Sequence, residues 1–186
     1  MAAEVPIIRP AEVADLSAIE RIYGHYVTNT TASFELEPPD ASAWRDRFAL
    51  VSAAGLPFVV AELPAAGGGG GVGGVGGVGG GGVVAGYAYC SPWKSRRAYR
   101  HTVENSIYVA PWAGRRGAGG LLLAALLDGC AVAGVREVIA VIADTGDPAS
   151  VQLHTRHGFL PAGRLTRVGF KHGSWLDTVL LQRSLG

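Results

Sequence analysis

The stretch TVENSIYVAPWAGRRGAGGLLL, from Thr102 to Leu123, constrains the fold more than any other part of the chain. It predicts a strand, then a turn dense in Arg and Gly, then an apolar helix. A Gly-rich turn before a helix directs several backbone N–H groups to one place, where the helix dipole favours an anion. Arg115 and Arg116 add guanidinium groups, whose paired N–H donors match phosphate oxygens. The segment therefore predicts a pyrophosphate site with an acidic side chain, Glu104, further back on the strand, as a transferase using a phosphate-bearing group carrier would need.

Length and composition describe a globular protein. The 186 residues are enough to bury a core, and one domain is predicted over residues 1–186. Hydrophobic residues make up 48% and charged residues 17%, which argues against intrinsic disorder. The formal net charge of +1 gives no field for nucleic acid or an anionic membrane. No glycine-free apolar run is long enough for a transmembrane helix, and MAAEVPIIRPAE lacks the features of a signal peptide. We expect a cytoplasmic protein.

The two cysteines, Cys90 and Cys130, are far apart in the sequence and lie in apolar surroundings. Two such residues make a poor metal site, and buried, reduced thiols are the better prediction. We therefore expect no metal cofactor.

Apolar periodicity and turn residues predict a mixed α/β fold of the α+β kind. The first helix follows a cap at Asp15 and carries one apolar face. Further helices are predicted over 42–52, 117–133 and 148–157, and strands over 6–9, 57–63, 83–90, 102–109, 137–142, 159–168 and 175–183. Strand–helix–strand units follow a meander of strands. This order predicts a mostly antiparallel central sheet with one parallel pair, flanked by helices.

A glycine-rich tract, AAGGGGGVGGVGGVGGGG, lies between two of these strands at residues 65–82 and holds 13 of the chain's 28 glycines. Such a tract buries too little surface to offset its backbone entropy, so we predict a flexible loop insertion. A phosphate-binding loop is not supported, because neither a helix start nor a Lys-Ser/Thr pair follows the glycines. The insertion is tolerable since the entropy of loop closure grows slowly with length.

Motifs spread over most of the chain carry a resemblance to a known family. They are IIRPAEVADL near the start, SFELEP at 33–38, SPWKSRRAYRHTVENSIYV at 91–109, the RRGAGG turn, SVQLHTRHGF at 150–159 and VGFKHGSWLDTVLLQ at 168–182. Together they resemble the Gcn5-related N-acetyltransferase (GNAT) superfamily. The HTVENSIYV and GFKHGSWLD blocks resemble its phosphinothricin acetyltransferase-like branch. The glycine tract has no counterpart in the usual pattern.

The resemblance implies a GNAT fold, with a splayed parallel strand pair, and acetyl-CoA as cosubstrate. Its acceptor would be the primary amine of a small amino acid or analogue, of the phosphinothricin, methionine sulfoximine or methionine sulfone type. Backbone groups of one strand would contact the pantetheine arm, and the turn would wrap the pyrophosphate. The cofactor-binding residues implied in this way are Ile107, Tyr108, Val109, Gly114, Arg115, Arg116, Gly117, Ala118, Gly119 and Asp147. Two depart from the family pattern: Gly114 replaces Gln or Arg, and Asp147 replaces an Asn whose amide could donate.

The residues also suggest how transfer would proceed. An alkyl amine keeps its proton up to about pH 10, so the acceptor needs a base. Glu104 lies on the strand that leads into the cofactor turn, and the family's catalytic Glu matches it. His154 stands where the phosphinothricin branch has a His, and we assign it as the general acid that assists the departing thiolate. We expect direct attack of the amine on the thioester, with no covalent enzyme intermediate.

For the acceptor pocket, the family positions suggest an anion clamp with apolar walls. Arg97, Arg100 and Thr102 could clamp a carboxylate, while Phe34 and Tyr99 would form the walls. The alternative for the two arginines is a solvated hairpin. Members of this branch are commonly homodimers, so the resemblance also implies a homodimer.

Other interpretations stay open at this point. Glu104 could be a solvent-facing strand residue and His154 a packed helix residue. The acceptor could be another amine, such as a protein N-terminus or a polyamine. A non-catalytic acyl-CoA-binding sensor or a degraded paralogue are further alternatives, which turnover with an amine would exclude.

Overall fold

The structure is a computed structural model that describes residues 5–64 and 82–186. The predicted loop insertion at 65–82 therefore lies outside the described residues, except for Gly82. In these ranges the chain forms, in order, β1 (Ile7–Pro10), α1 (Leu16–Asn29), α2 (Ala41–Ala53), β2 (Phe58–Pro64), β3 (Gly82–Pro92), β4 (Thr102–Val109), α3 (Ala118–Val132), β5 (Glu137–Ala143), α4 (Ala149–Arg156), β6 (Leu160–Lys171) and β7 (Ser174–Ser184).

Every helix and strand predicted from the sequence is present, with ends that differ by a few residues. The largest difference is in β6, which continues to Lys171, whereas the pattern predicted its end at residue 168. Pairing with β7 is irregular between Leu165 and Gly169, and Arg167 has a φ of 55°. This bulge interrupts the alternation of side chains, so the sequence pattern stops before the strand does.

The described strands form one seven-stranded sheet in the order β1-β2-β3-β4-β5-β7-β6. Within this part of the chain β4 and β5 are the one parallel pair, which confirms the predicted fold class. Their pairing ends where Asn105 lies opposite Ala140. Both strands continue, β4 to Val109 and β5 to Ala143, so a gap opens between them.

Helices cover both faces of the sheet. α1 and α2 pack on one face through Ile19 and Trp44, and α3 and α4 pack on the other through Leu122 and Leu153. Ile19 and Leu122 are fully buried, and burying such an apolar side chain stabilises the fold by roughly 1.5–3 kcal/mol. Residues from both layers, among them Tyr26 of α1 and Leu153 of α4, border the gap between β4 and β5.

Local sequence sets where the helices near the gap begin. α2 begins after Asp40, whose Oδ1 accepts the N–H of Ala43 at 2.8 Å. α3 begins after Gly117, whose φ of 80° lies in the left-handed region that glycine adopts without a Cβ penalty. None of the helices in the described ranges is long and apolar enough to cross a membrane.

Candidate active site

The gap between β4 and β5 exposes backbone groups of β4. Alternate residues of a strand direct their N–H and C=O groups to opposite edges. The N–H of Ala110 donates to β3, at Ala85 O and 2.7 Å, so the groups of Tyr108 also face β3. Those of Ile107 and Val109 face the gap. Of the three residues predicted to offer backbone groups, the register therefore presents Ile107 and Val109 but not Tyr108.

A cavity of about 350 Å³, here called the gap cavity, follows these backbone groups between β4, β5 and α4. The carbonyl of Val109 in its wall accepts the hydroxyl of Tyr26 at 2.7 Å. The wall is lined by Tyr26, Ala32, Glu104, Asn105, Ser106, Ile107, Tyr108, Val109, Ala140, Val141, Ile142, Ala143, Thr145, Asp147, Ala149, Ser150, Leu153 and His154. The backbone groups of Ile107 and Val109 in its wall suit an extended chain carrying amide groups.

A second cavity of about 620 Å³, here called the aromatic cavity, lies on the α1–α2 face of the sheet. Its wall combines aromatic rings with a few polar side chains. It is lined by Tyr23, Ala32, Ser33, Phe34, Glu35, Arg47, Tyr89, Ser91, Glu104, Ser106, Tyr108, Val141, Ala143 and Thr178. Rings with a few convergent polar groups are typical of a small-molecule site.

The two cavities meet at Glu104. Six residues line both of them: Ala32, Glu104, Ser106, Tyr108, Val141 and Ala143. Glu104 is the carboxylate of this set. A ligand in the gap cavity and another in the aromatic cavity would therefore both approach the same carboxylate.

The environment of Glu104 favours its neutral form. The side chain is partly buried, and this burial raises the pKa of the carboxyl above its ordinary value, while the nearby charge of Lys94 acts in the opposite direction. A carboxylate with a raised pKa is a better proton acceptor at neutral pH than an exposed one. The position and the electrostatics of Glu104 both suit a general base.

His154 is 2% exposed and is held by two hydrogen bonds. Its Nδ1 donates to the carbonyl of Ser150 at 2.8 Å, because a carbonyl can only accept. Its Nε2 lies 2.9 Å from Nδ2 of Asn105, an amide nitrogen that can only donate. The ring is therefore neutral, with its proton on Nδ1. Burial, the main cause, lowers the pKa of His154 and so favours the same neutral form.

This arrangement does not support a general acid at His154. The one ring proton is used by Ser150, and the lone pair on Nε2 is used by Asn105. The reverse orientation of the Asn105 amide would require a buried imidazolium, which the desolvation of the ring opposes. The contacts instead make His154 a rigid link between α4 and β4.

The Gly- and Arg-rich turn lies at the end of the gap. Gly119 is close to Val109 and Leu153, since a Cβ placed on it would lie 3.8 Å and 3.4 Å from their side chains. The first intrahelical hydrogen bond of α3 runs from Leu121 N to Gly117 O, so the N–H groups of residues 118–120 have no helical acceptor. These donors, and the exposed Arg115 with its φ of 63°, fit a pyrophosphate at the mouth of the gap cavity.

Three other predicted residues of the turn, Gly114, Arg116 and Ala118, differ in placement. Gly114 and Arg116 are exposed beside Arg115, whereas Ala118 is buried as the first residue of α3. The contribution of Ala118 is therefore its backbone N–H, not its side chain.

Asp147 lines the gap cavity but its carboxylate is already bonded. Its Oδ1 accepts the N–H of Ala149 at 2.9 Å, in the first turn of α4. This is the role of an acid at a helix start, where the dipole favours negative charge. The side chain therefore orients α4, and the amide donor that an Asn would offer is missing.

The predicted acceptor residues do not come together within one chain. Phe34 lines the aromatic cavity and is 40% exposed. Arg97, Tyr99 and Arg100 lie on an exposed turn ahead of β4, and neither they nor Thr102 line either cavity. The placement does not support the carboxylate clamp predicted at these arginines.

The structure brings polar residues to the aromatic cavity that the sequence analysis missed. They are Glu35, Arg47, Ser91 and Thr178. The hydroxyl of Thr178 is buried and has no hydrogen-bond partner in the described part of the chain. One signal was present for Arg47, since it follows Trp44 by three residues and so shares the buried face of α2.

The loop that carries Ser33 and Phe34 is fixed by the last two strands. Lys171 is 3% exposed, and its Nζ donates to the carbonyl of Ser33 at 2.8 Å. Desolvation lowers the pKa of this lysine. Gly169 leaves room for the ring of Phe34, because a Cβ there would clash with it. The wall of the aromatic cavity therefore depends on the β6–β7 hairpin.

Comparisons with known proteins define the class of this chain. The model of the acetyltransferase (GNAT) family matches residues 21–159. The chain belongs to the GNAT acetyltransferase family, which confirms the resemblance drawn from its motifs.

Several named proteins are similar to this chain over most of its length. Phosphinothricin N-acetyltransferase of Alcaligenes faecalis is 43% identical over 178 residues, 96% of this chain and 82% of that protein. An L-methionine sulfoximine/L-methionine sulfone acetyltransferase of Pseudomonas aeruginosa is 35% identical over 96% of this chain and 94% of its own. The crystal structure of a phosphinothricin acetyltransferase from Sinorhizobium meliloti in complex with AcCoA is similar with a TM-score of 0.84. It has 39% identity and covers 98% of this chain and 89% of that one.

Proposed function

We propose that this protein transfers the acetyl group of acetyl-CoA to the primary amine of a small amino acid or analogue, of the phosphinothricin, methionine sulfoximine or methionine sulfone type. The observation that carries the proposal is the position of Glu104 where the gap cavity and the aromatic cavity meet. The names of the similar proteins support the same donor and the same class of acceptor.

The gap cavity fits acetyl-CoA. Its backbone wall at Ile107 and Val109 offers hydrogen bonds to the pantetheine amides, and the N–H groups of residues 118–120 meet the pyrophosphate. Arg115 and Arg116 add charge at the mouth. When bound, acetyl-CoA supplies an activated acetyl group as a thioester.

Glu104 would prepare the acceptor. The amine nitrogen must lose a proton before its lone pair can attack, and Glu104 takes that proton directly or through one water. The new bond joins the amine nitrogen to the acetyl carbon, the bond from that carbon to sulfur breaks, and the thiolate leaves with the electron pair of that bond. The second proton that the nitrogen loses on becoming an amide passes to the departing sulfur. Cys90 and Cys130 are buried on the α3 face and line neither cavity. Direct attack is therefore favoured over an acyl-cysteine route.

His154 has a positioning role in this proposal. It links Ser150 of α4 to Asn105 of β4, and so holds the two sides of the gap cavity at a fixed separation. The general-acid prediction stays a prediction. It requires a proton on Nε2. If His154 only positions α4 and β4, the solvent isotope effect of His154→Gln should equal that of the parent at every pH. A changed effect would support the general acid.

The test is thiol release from acetyl-CoA with a panel of amines. It contains phosphinothricin, methionine sulfoximine, methionine sulfone, common amino acids, a polyamine and an N-terminal peptide. Turnover confined to the small amino acids and analogues is the expected result. Turnover with the peptide or the polyamine would show that the acceptor is that amine and not a small amino acid. Binding of acetyl-CoA by calorimetry without release for any amine would instead support the sensor alternative.

A homodimer is part of the same proposal. The β6–β7 hairpin exposes Leu160, Val168, Phe170 and Trp175, and the last two are each 56% exposed and lie against each other. A large exposed apolar surface of this kind is typical of an interface. Sedimentation equilibrium tests it, with Trp175→Glu expected to shift the protein to the monomer.

Cytoplasmic residence also belongs to the proposal. Cys90 and Cys130 are free thiols with 3.2 Å between their Sγ atoms. Two thiols so close together stay unlinked in a reducing compartment. Fractionation of the native host, followed by an assay of thiol release, would test this.

A further inference from the structure

Arg47 places a permanent positive charge in the wall of the aromatic cavity. It lies on α2, is half-buried, and is the one Lys or Arg among the described residues that line this cavity. The arginines of the exposed turn before β4 line neither cavity. If an acceptor in the aromatic cavity carries an anionic group, Arg47 is the lining residue with the charge to bind it.

The guanidinium of Arg47 is held in one orientation by its neighbours. It lies over the ring of Trp44 at 4.7 Å from the centroid, and its Nη2 donates to Glu35 at 3.0 Å. Its Nη1 is 3.4 Å from the hydroxyl of Tyr89. A group fixed in this way loses little further entropy when it binds a ligand.

Arg47 also has donors to spare. A guanidinium carries five N–H groups, and the contacts to Glu35 and Tyr89 use two of them. The same molecule shows that one arginine can serve two carboxylates, since Arg9 binds both Asp15 and Glu62 at 2.7–2.8 Å. The pairing with Glu35 therefore leaves Arg47 able to bind a second carboxylate.

We infer that Arg47 binds the carboxylate of the acceptor and so selects amino acids over simple amines. The inference rests on the proposed function. An amino acid carries an ammonium group and a carboxylate, and the aromatic cavity offers Glu104 for the first and Arg47 for the second. An amine without a carboxylate would leave Arg47 with its contacts to Glu35 and Tyr89 and would gain no binding energy from it.

The experiment compares two acceptors that differ in one group: methionine sulfone and the amine obtained from it by removing the carboxylate. The selectivity ratio is kcat/KM for the amino acid divided by kcat/KM for the amine. Arg47→Met should lower this ratio by about tenfold or more, because a charge-assisted pair is lost for one acceptor only. Arg45→Met, at an exposed position on the same helix, is the matched control and should leave the ratio unchanged.

A second variant keeps the inference testable if Arg47→Met does not fold. Arg47→Lys keeps the charge and loses the planar fork, so the ratio should fall by about threefold or more. A ratio equal to that of the parent in either folded variant overturns the inference, because a purely structural role would lower both activities together. Failure of the proposed function is a different result, namely no thiol release by the parent protein with any amine.

Discussion

The two cavities that meet at Glu104 are built in different ways. The gap cavity has a wall of backbone, made where β4 and β5 stop pairing and where α3 begins after a glycine. The aromatic cavity has a wall of side chains, which come from α1, α2, the loop around Phe34, and strands β3, β4, β5 and β7. Strand and helix geometry fixes the first, whereas the second depends on packing between distant segments.

The difference indicates where each substrate's specificity arises. Backbone N–H groups bind a phosphate or an amide whatever the neighbouring side chains are. The gap cavity therefore suits a single acetyl-carrying cosubstrate. Side chains form the wall of the aromatic cavity, so a substitution there alters the cavity, and we expect acceptor choice to depend on wall residues such as Arg47 and Thr178.

The largest effect is expected at the junction. Glu104→Gln should lower kcat by about 100-fold or more, because general-base catalysis contributes on the order of 10²–10⁴. The affinity for acetyl-CoA should not change, since the gap cavity keeps its backbone wall. Thiol release and calorimetry measure the two quantities. Asp128→Asn, at an exposed position on α3, is the control, and equal turnover in parent and Glu104→Gln would refute the assigned base.

The same residue predicts a pH dependence. Burial raises the pKa of Glu104, so kcat/KM should fall as the pH drops through a value above the ordinary range of a glutamate. This acidic limb should be absent from the residual activity of Glu104→Gln. A pH profile that keeps its acidic limb in the variant would point to another group.

Linkage adds a stability test of Glu104. A raised pKa in the folded state means that the folded protein binds the proton more tightly, so stability is lost as the pH rises through that pKa. At neutral pH the ionised side chain is therefore a cost, and Glu104→Gln should raise Tm. Calorimetric melting at neutral and acidic pH would show the gain at neutral pH only.

A smaller effect is expected from a substitution that obstructs the acetyl-CoA site and leaves the acceptor site unchanged. Gly119→Leu places a side chain between Val109 and Leu153, next to the free N–H groups of α3. Affinity for acetyl-CoA should fall by about tenfold, as expected when charge-assisted hydrogen bonds are lost. Ala124→Leu, exposed on the same helix, controls for helix propensity. The acceptor selectivity ratio should stay that of the parent, and a change in it would show that the cavities are not independent.

The smallest effect is expected at Tyr26, whose hydroxyl fixes the carbonyl of Val109 in the wall of the gap cavity. Tyr26→Phe removes one hydrogen bond, worth about 1 kcal/mol, and keeps the ring. Affinity for acetyl-CoA should fall by roughly fivefold or less. Calorimetry with the variant and the parent is the measurement, and unchanged affinity would mean that water replaces the hydroxyl.

The sequence predicted the residues around the gap cavity better than those around the aromatic cavity, and the reason is physical. The strand, the glycines and the helix of residues 102–123 are neighbours in the chain, so their geometry follows from local rules. Glu104 falls inside this stretch, and the structure places it at the junction.

The acceptor side was harder because its residues are far apart in sequence. Arg47 meets Glu35 and Tyr89 only after α2 packs on the sheet, and Lys171 reaches Ser33 across the whole fold. Arg97 and Arg100 are near Glu104 in sequence, yet they lie on an exposed turn. His154 was found by its position in a motif, but its protonation depends on Asn105, which no local pattern links to it.

The aromatic cavity lies on the α1–α2 face of the sheet, whereas the gap cavity runs between β4 and β5 to α4, and the two meet at Glu104. Neither substrate has to cross the other's path to reach Glu104, so both can be bound at once and neither must leave first. Initial-velocity lines should therefore intersect when one substrate is varied at fixed levels of the other, and should not run parallel. The acetylated product can depart through the aromatic cavity while the spent carrier still occupies the gap cavity.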